Sequence, residues 1–202
     1  MKNVVLTGIG GQGTVLAAKI LAQAAQAHGW HVRTAETIGM AQRGGSVTSH
    51  VRMGDAGETV AAPLVNARMA DMLIAFEPGE AARSLGLLKP QGALVCASTA
   101  KQSVVASLSK VPYEAEPVLE ALRQREGRTV VVDEQPLLQR LGTARVLNMV
   151  LLAVAASQVD AAGEPLLGIT VDDLRRAIAA CVKSQFVDMN LAAVDAALDQ
   201  FL

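Results

Sequence analysis

The chain has 202 residues, 51% of them hydrophobic, so it can bury a substantial core and is not a disordered segment. Its 18 basic and 19 acidic residues leave a net charge of −1, and aromatic residues make up only 2%. That balance excludes the electrostatic footprint of a DNA- or RNA-binding protein and the aromatic platform on which single strands stack.

Asn3–Thr7 reads as a short buried strand that runs into glycine. Thr14–His28 follows as a helix with no breaker before Gly29, and Trp30–Ala35 alternates as a second strand. Thr37–Gly45 is a polar, glycine-containing loop, Ser46–Arg52 a β-branched third strand, and Met53–Gly57 a turn. Asp71–Phe76 is a buried strand, Glu77–Leu88 a helix that stops ahead of Pro90, and Gly92–Ser98 another strand. Val118–Glu126 is helical and Thr129–Asp133 a further strand. The last third changes character: a mostly apolar helix over Thr143–Val159, a loop at Gly163–Gly168, and a closing helix at Leu191–Leu202. Between the last two, Thr170 is placed to cap a helix through Cys181, with Asp173 three residues on as in a capping box. Alternating strands and helices, with strands apolar on both faces, predict one α/β domain over 1–202. It has a mostly parallel sheet flanked by helices, a Rossmann-like first βα unit and a more helical C-terminal third. The loop after the first strand then falls at the carboxyl edge of the sheet, where ligands bind in such folds.

Cys96 and Cys181 are the only cysteines, far apart and in no CxxC pair. Two distant thiols suit a reducing cytoplasm, and no four-cysteine set is present to hold an iron–sulfur cluster. The apolar run behind Lys2 is too short for a signal peptide. The longest apolar stretch, Val146–Ala156, is broken by Asn148 and falls short of a membrane span, so a cytoplasmic location without membrane contact is expected.

Gly8, Gly10 and Gly13 satisfy G-x-G-x-x-G, and Gly11 adds a fourth glycine. A strand before and a helix after supply the context of a phosphate loop, where backbone N–H groups and the positive helix end attract an anion. A dinucleotide site also needs an acid near the end of the second strand, and Glu36 stands there, slightly late. Gln12 puts a bulky polar side chain into the turn. The pattern alone leaves three readings open: NAD or FAD, another phosphate ligand, or a turn that binds nothing. It is not a Walker A loop, because no Gly-Lys-Ser/Thr follows at the right spacing and Lys19 lies inside the helix. In the second loop, Gln42, Arg43, Gly44 and Gly45 place an amide and a fixed cation before two permissive glycines. Such a loop clamps an anion, docks a partner, or is simply a solvated turn.

GxGGQG after the first strand, IGMAQRGG in the second loop and the SVTSHVR strand together resemble the gamma domain of 2-oxoacid:ferredoxin (or flavodoxin) oxidoreductases. The most similar branch is the beta subunit of indolepyruvate ferredoxin oxidoreductase. The resemblance spans essentially the whole chain, including Ala70–Pro78 and Arg145–Asn148. The pyruvate branch carries a Glu-Arg-Arg-Gly-Ala-like loop where this chain has Gln42-Arg43-Gly44-Gly45, which favours an arylpyruvate-type substrate.

The resemblance implies a non-catalytic subunit of a complex that makes acyl-CoA, CO2 and reduced ferredoxin from a 2-oxoacid. It implies thiamine pyrophosphate and iron–sulfur clusters on a catalytic partner subunit, ferredoxin as an indirect partner, and no cofactor held by this chain alone. It also implies that the domain lies near the coenzyme A site and packs against the catalytic subunit, so the glycine loop is expected either to cradle a coenzyme A phosphate or to dock the partner. Gly8, Gly10, Gly11, Gln12, Gly13 and Thr14 would then supply backbone donors and a hydroxyl, with Gln42, Arg43, Gly44 and Gly45 approaching from the neighbouring strand end. The alternative is an independent NAD(P)- or FAD-binding oxidoreductase of Rossmann type.

Other polar residues read as structural. His50 falls within a strand, and His28 and His31 flank Gly29-Trp30 as at a helix end. Cys96 reads as a buried, inert thiol. Ser46, Thr48 and Ser49 have no hydrolase context, and Met40, Met53, Met69 and Met72 read as core. Glu77-Pro78 fits a helix start as well as a functional position.

Overall fold

The computed structural model describes residues 1–39, 44–101 and 113–201. Six strands form one sheet in the order β2-β3-β1-β4-β5-β6. They are β1 (Lys2–Ile9), β2 (His31–Ile38), β3 (Ser46–Gly54), β4 (Ala70–Ala75), β5 (Leu88–Ala97) and β6 (Thr129–Val132). β1, β4, β5 and β6 pair in parallel, while β3 runs antiparallel to both β1 and β2. The described residues also form α1 (Thr14–Ala27), α2 (Pro78–Ser84), α3 (Ala115–Arg123), α4 (Gln135–Arg140), α5 (Leu147–Ala156), α6 (Val171–Cys181) and α7 (Ser184–Phe201). This is the mostly parallel, helix-flanked sheet that the alternation of elements predicts.

The strands are apolar on both faces because both faces are covered. Val4, Leu6, Met72, Ile74 and Val95 point into a core shared with α1, α5, α6 and α7. Val5, Leu73, Ala75 and Leu94 point the other way, against Ala81 of α2 and Leu119 and Leu122 of α3. All ten residues of α5 are buried, as expected of a helix that is apolar all round. α1 presents alanines to the sheet and to its neighbours, including Ala17, Ala18, Ala24 and Ala25. Since α1 and α2 lie on opposite faces, the chain reverses its winding between β1 and β4. The carboxyl ends of those two strands therefore flank a topological switch point, where open α/β sheets bind ligands.

Several boundaries differ from the sequence expectation, each for a local reason. β1 continues through Gly8 and Ile9 because β3 supplies Val47 and Ser46 as partners. β2 likewise runs on to Ile38, opposite Val47, so the second loop begins only at Gly39. The helix expected to reach Leu88 stops at Ser84 and tightens into a 3-10 turn over Leu85–Leu87. β5 then begins at Leu88 and passes Pro90 through a bulge: Ala70 pairs with Leu88, but Met72 pairs with Ala93. Proline cannot donate to a ladder, and the bulge removes the need. α4 is a six-residue helix that the pattern did not reveal, and α7 starts seven residues ahead of the expected Leu191. The Thr143–Val159 segment opens with a 3-10 turn at Ala144–Val146 before α5. The Thr170–Asp173 capping box is present in full: each side chain accepts a hydrogen bond from the other's backbone N–H.

Candidate functional site

The glycine loop leaves β1 at the switch point and enters α1. Gly11 and Gly13 have φ of +100° and +87°, so both stand in the left-handed region that favours glycine. A Cβ on Gly13 would lie 2.7 Å from Asn148 Nδ2 at the start of α5, whereas one on Gly11 would meet nothing within 4 Å. Gly13 thus serves close packing, and Gly11 leaves its surroundings open.

Gln12 is turned inward. Its Oε1 accepts a 2.6 Å hydrogen bond from the Ile9 N–H, and its Nε2 donates to the Phe76 carbonyl at 2.8 Å. The amide therefore ties the end of β1 to the end of β4. Gly8 makes room for it: a Cβ there would sit 2.8 Å from Phe76 Cβ and 3.0 Å from Gln12 Oε1. Two N–H groups of the expected cradle are engaged inside the protein, Gly10 with the Gly45 carbonyl (2.8 Å) and Gln12 with the Ile9 carbonyl (3.1 Å). Thr14 is 3% exposed, so its hydroxyl is largely withdrawn from the surface. The α1 N-terminus remains free of a side-chain cap, and its first turn carries no acidic residue. An uncapped first turn offers backbone donors and a positive dipole end to an anion.

The second loop reaches the same place. Gly45 accepts from Gly10, Gly39 N–H donates to the Ser46 carbonyl, and Ser46 Oγ donates to Glu80 Oε1 at 2.9 Å. Gly44 and Gly45 therefore stand beside the glycine loop. Met40, Gln42 and Arg43 lie outside the described residues.

Beside the loop, toward β5 and β6, an open cleft of about 260 Å3 is lined by Gly11, Gln12, Phe76, Lys101, Glu134 and Arg145, among others. Glu134 is 1% exposed and immediately precedes α4; its Oε2 accepts from the Ser98 N–H (2.9 Å) and hydroxyl (3.3 Å). Gln135 Nε2 donates to Thr99 Oγ1 at 3.0 Å, so α4 holds the segment that leads to Lys101. Sequence reading missed these residues. They come from three separate stretches of chain, and none forms a motif with its own neighbours.

The remaining polar candidates are structural. His50 is buried, its Nδ1 accepts from the Val65 N–H at 3.2 Å, and burial lowers its pKa. His31 Nδ1 accepts from the Val60 N–H. His28 stacks on Trp30 and its Nε2 lies 3.0 Å from Asp173 Oδ2, a pairing that spacing alone did not reveal. Cys96 is fully buried, and burial raises its thiol pKa well above the usual value. Glu77 is the N-cap of α2 and accepts from the Glu80 N–H at 2.9 Å. Burial, and then the Glu77 carboxylate, hold the Tyr113 phenol well above its ordinary pKa. Met53 and Met72 are buried, but Met69 is 47% exposed and does not belong to the core. Among the described residues, no group of three or more His, Cys, Asp or Glu side chains is arranged to hold a metal.

Glu36 does not complete a dinucleotide site. It lies opposite Ser49 on β3, and Ser49 lies opposite Leu6 on β1. β3 therefore separates it from the loop strand by two spacings of about 4.8 Å each. In a Rossmann unit the second strand is the immediate neighbour of the first.

The fold and its switch point define an α/β domain with a glycine loop at the carboxyl edge and, among the described residues, no acid placed for a ribose. The chain belongs to the pyruvate ferredoxin/flavodoxin oxidoreductase family, whose model matches residues 3–200. It is 36% identical over 201 residues to indolepyruvate oxidoreductase subunit IorB of Archaeoglobus fulgidus, covering 98% of this chain and 94% of that one. Among solved structures, it is similar to the gamma subunit of a keto/oxoacid ferredoxin oxidoreductase from Geobacter sulfurreducens. The TM-score is 0.70 at 20% identity, covering 98% of this chain and 97% of that one. It also matches a part, 30%, of a 2-oxoglutarate:ferredoxin oxidoreductase chain from Magnetococcus marinus, solved with 2-oxoglutarate, coenzyme A and succinyl-CoA bound (TM-score 0.69, 18% identity, 98% of this chain). The chain is thus related to subunits of oxidoreductase complexes, and its fold is that of the gamma subunit. No helix among the described residues is long and apolar enough to cross a membrane.

Proposed function

We propose that this chain is the non-catalytic subunit of a thiamine-dependent 2-oxoacid:ferredoxin oxidoreductase of the arylpyruvate type. The complex converts a 2-oxoacid, coenzyme A and oxidised ferredoxin to acyl-CoA, CO2 and reduced ferredoxin. The catalytic subunit carries thiamine pyrophosphate for decarboxylation and iron–sulfur clusters for electron transfer. This chain receives a phosphate of coenzyme A at the glycine loop. The observation that carries this reading is the glycine loop ahead of the uncapped α1 N-terminus, whose Gly11 and Gln12 line the cleft at the switch point. A 2-oxoglutarate:ferredoxin oxidoreductase that contains the same fold in one of its chains, and was solved with coenzyme A bound, supports it. The residues fit an anionic ligand: Gly11 leaves its surroundings open, and Gln12 fixes the loop against β4. The chain's own work is binding and orientation. A loop held at both strand ends presents its donors without rearranging, which keeps the thiol end of the carrier in register with the partner's site.

The test is affinity capture of the tagged chain from its native extract under anaerobic conditions. A partner that brings iron–sulfur absorbance, bound thiamine pyrophosphate and coenzyme A-dependent oxidation of arylpyruvates is expected. Capture of a partner without thiamine pyrophosphate, or turnover indifferent to coenzyme A, overturns the reading.

A further inference from the structure

β2 closes one end of the sheet and, among the described residues, has no strand on its outer side. Its backbone groups can be assigned one by one. The Gly39 N–H donates to the Ser46 carbonyl, and these two residues continue the β2–β3 register, so theirs is a hydrogen-bonded pair. Such pairs recur at every second residue of an antiparallel ladder. His31, Arg33, Ala35 and Thr37 therefore turn their N–H and C=O groups to β3, and Val32, Thr34, Glu36 and Ile38 turn theirs outward. The register is unbroken from His31 to Ile38, so no bulge twists this edge away, and the strand contains no lysine or proline. Those are the devices that keep a free edge from pairing. The strand at the other end of the sheet, β6, is blunted by its length of four residues. β2 has eight residues, and its Ile38 is 62% exposed.

We propose that β2 pairs antiparallel with β2 of a second copy of this chain, about a two-fold axis at Ala35, so that two six-stranded sheets join into one. The strand's own residues select the occupant and the register. Two-fold pairing sets one residue opposite its own copy. An axis at Arg33 or Glu36 would oppose like charges directly, which is destabilising. An axis at Thr34 sets Val32 against Glu36 and leaves Ile38 beyond the paired strands. Axes nearer either end pair fewer residues. At Ala35 all four outward residues are used: Val32 stands opposite Ile38 of the second copy and Thr34 opposite its Glu36, each pair occurring twice. The sequence of β2 is thus complementary to itself, with exposed Ile38 covered by an apolar partner. This seam is separate from the glycine loop and independent of the coenzyme A reading.

Light scattering on the purified full chain over a dilution series reads the association. The parent should be a dimer at about 200 μM and should dissociate on dilution. Thr34→Pro removes an outward N–H and leaves the β3 ladder intact, a position at which edge strands accept proline. It should raise the dissociation constant at least about 10-fold with the unfolding midpoint little changed. Ile38→Lys, at an exposed side chain, is the second variant and should act in the same direction. Cross-linking reads the register. In a Cys181→Ser background, Ala35→Cys puts two thiols in a directly opposed, non-hydrogen-bonded pair, about 4.5 Å between Cα atoms and within disulfide reach. Thr34→Cys leaves them two residues out of step, at about 7–8 Å, too far to join. Mild oxidation should link the Ala35→Cys chain to itself and not the Thr34→Cys chain. A parent that stays monomeric overturns the proposal, as does a dimer that both Thr34→Pro and Ile38→Lys leave intact or an Ala35→Cys chain that does not link to itself. Hydrogen-exchange protection of β2 that arises only when another protein binds also overturns it, and gives the edge to that protein.

Discussion

Gln12 stands in a turn otherwise built of glycine, and both polar atoms of its amide are used inside the fold. Replacing it with leucine keeps most of the bulk but leaves the Ile9 N–H and the Phe76 carbonyl without these partners. At about 1–3 kcal/mol for each buried group left unpaired, Gln12→Leu should destabilise the chain by roughly 2–6 kcal/mol. Urea unfolding checks this, and a loss under about 0.5 kcal/mol would mean that the amide is not what ties β1 to β4. Gly8→Ala acts on the same junction by forcing a Cβ to within 2.8 Å of Phe76 Cβ, and should cost about 1–3 kcal/mol as overpacking. At this scale the sequence was legible where backbone demands leave a chemical trace. Gly11 and Gly13 are glycines because of their φ, and Thr170 and Asp173 form the capping box that their spacing indicates. Gln12 looked like an obstacle to a phosphate loop, since nothing in the string GxGGQG says which way the side chain turns. Lys101 and Glu134 left no trace, and Arg145 showed only as part of the resemblance over Arg145–Asn148, because their proximity depends on how β5, α4 and α5 pack.

α6 begins on a more elaborate anchor than its capping box alone. Asp173 accepts from the Thr170 N–H at 2.8 Å and from its hydroxyl at 2.6 Å, pairs with His28 at the end of α1, and also pairs with Arg176. Burial by itself would raise its pKa. The Thr170 hydrogen bonds and His28 outweigh that and hold the carboxyl well below the usual range. A depressed folded pKa stabilises the native state above the unfolded value of about 3.9, and that contribution is lost as pH falls through the folded value. Asp173→Asn should therefore be less stable than the parent near neutrality, by about 1–3 kcal/mol. The two should converge as acid is added below about pH 4. Thermal unfolding across pH 2–7 measures this, and a constant gap over that range would remove Asp173 from the acid response. Periodicity found most of the elements at this scale. It missed α4, whose six residues are too few to show a period, and the first turns of α7, where Phe186 and Met189 are exposed and the apolar pattern points nowhere.

Whole-molecule topology separates this fold from a Rossmann dinucleotide domain, one of the three readings that the glycine loop alone left open. Both share strand, loop and helix. They part at β3, which inserts between β1 and β2 and carries Glu36 away from the loop. No local pattern encodes that order, since β3 reads as an ordinary alternating strand wherever it pairs. The isolated chain should therefore bind neither NAD nor FAD with micromolar affinity. It should be colourless and should not oxidise indolepyruvate or phenylpyruvate. Equilibrium dialysis with each nucleotide and an anaerobic dye-reduction assay provide the check. A Kd below about 10 μM for either nucleotide, which corresponds to about −7 kcal/mol, would restore the dinucleotide reading.

The fit of Gly13 against Asn148 also has a meaning in time. The two residues are 135 positions apart, and the Asn148 amide reaches the Gly13 carbonyl at 3.5 Å. During synthesis at about 5–20 residues per second, the loop is among the first segments made, yet its supporting wall arrives many seconds later. A nascent chain stopped before α5 would hold the sequence of the glycine loop without the side chain that packs against it. The finished shape of the loop is thus a late property of the growing chain, withheld until most of the subunit exists.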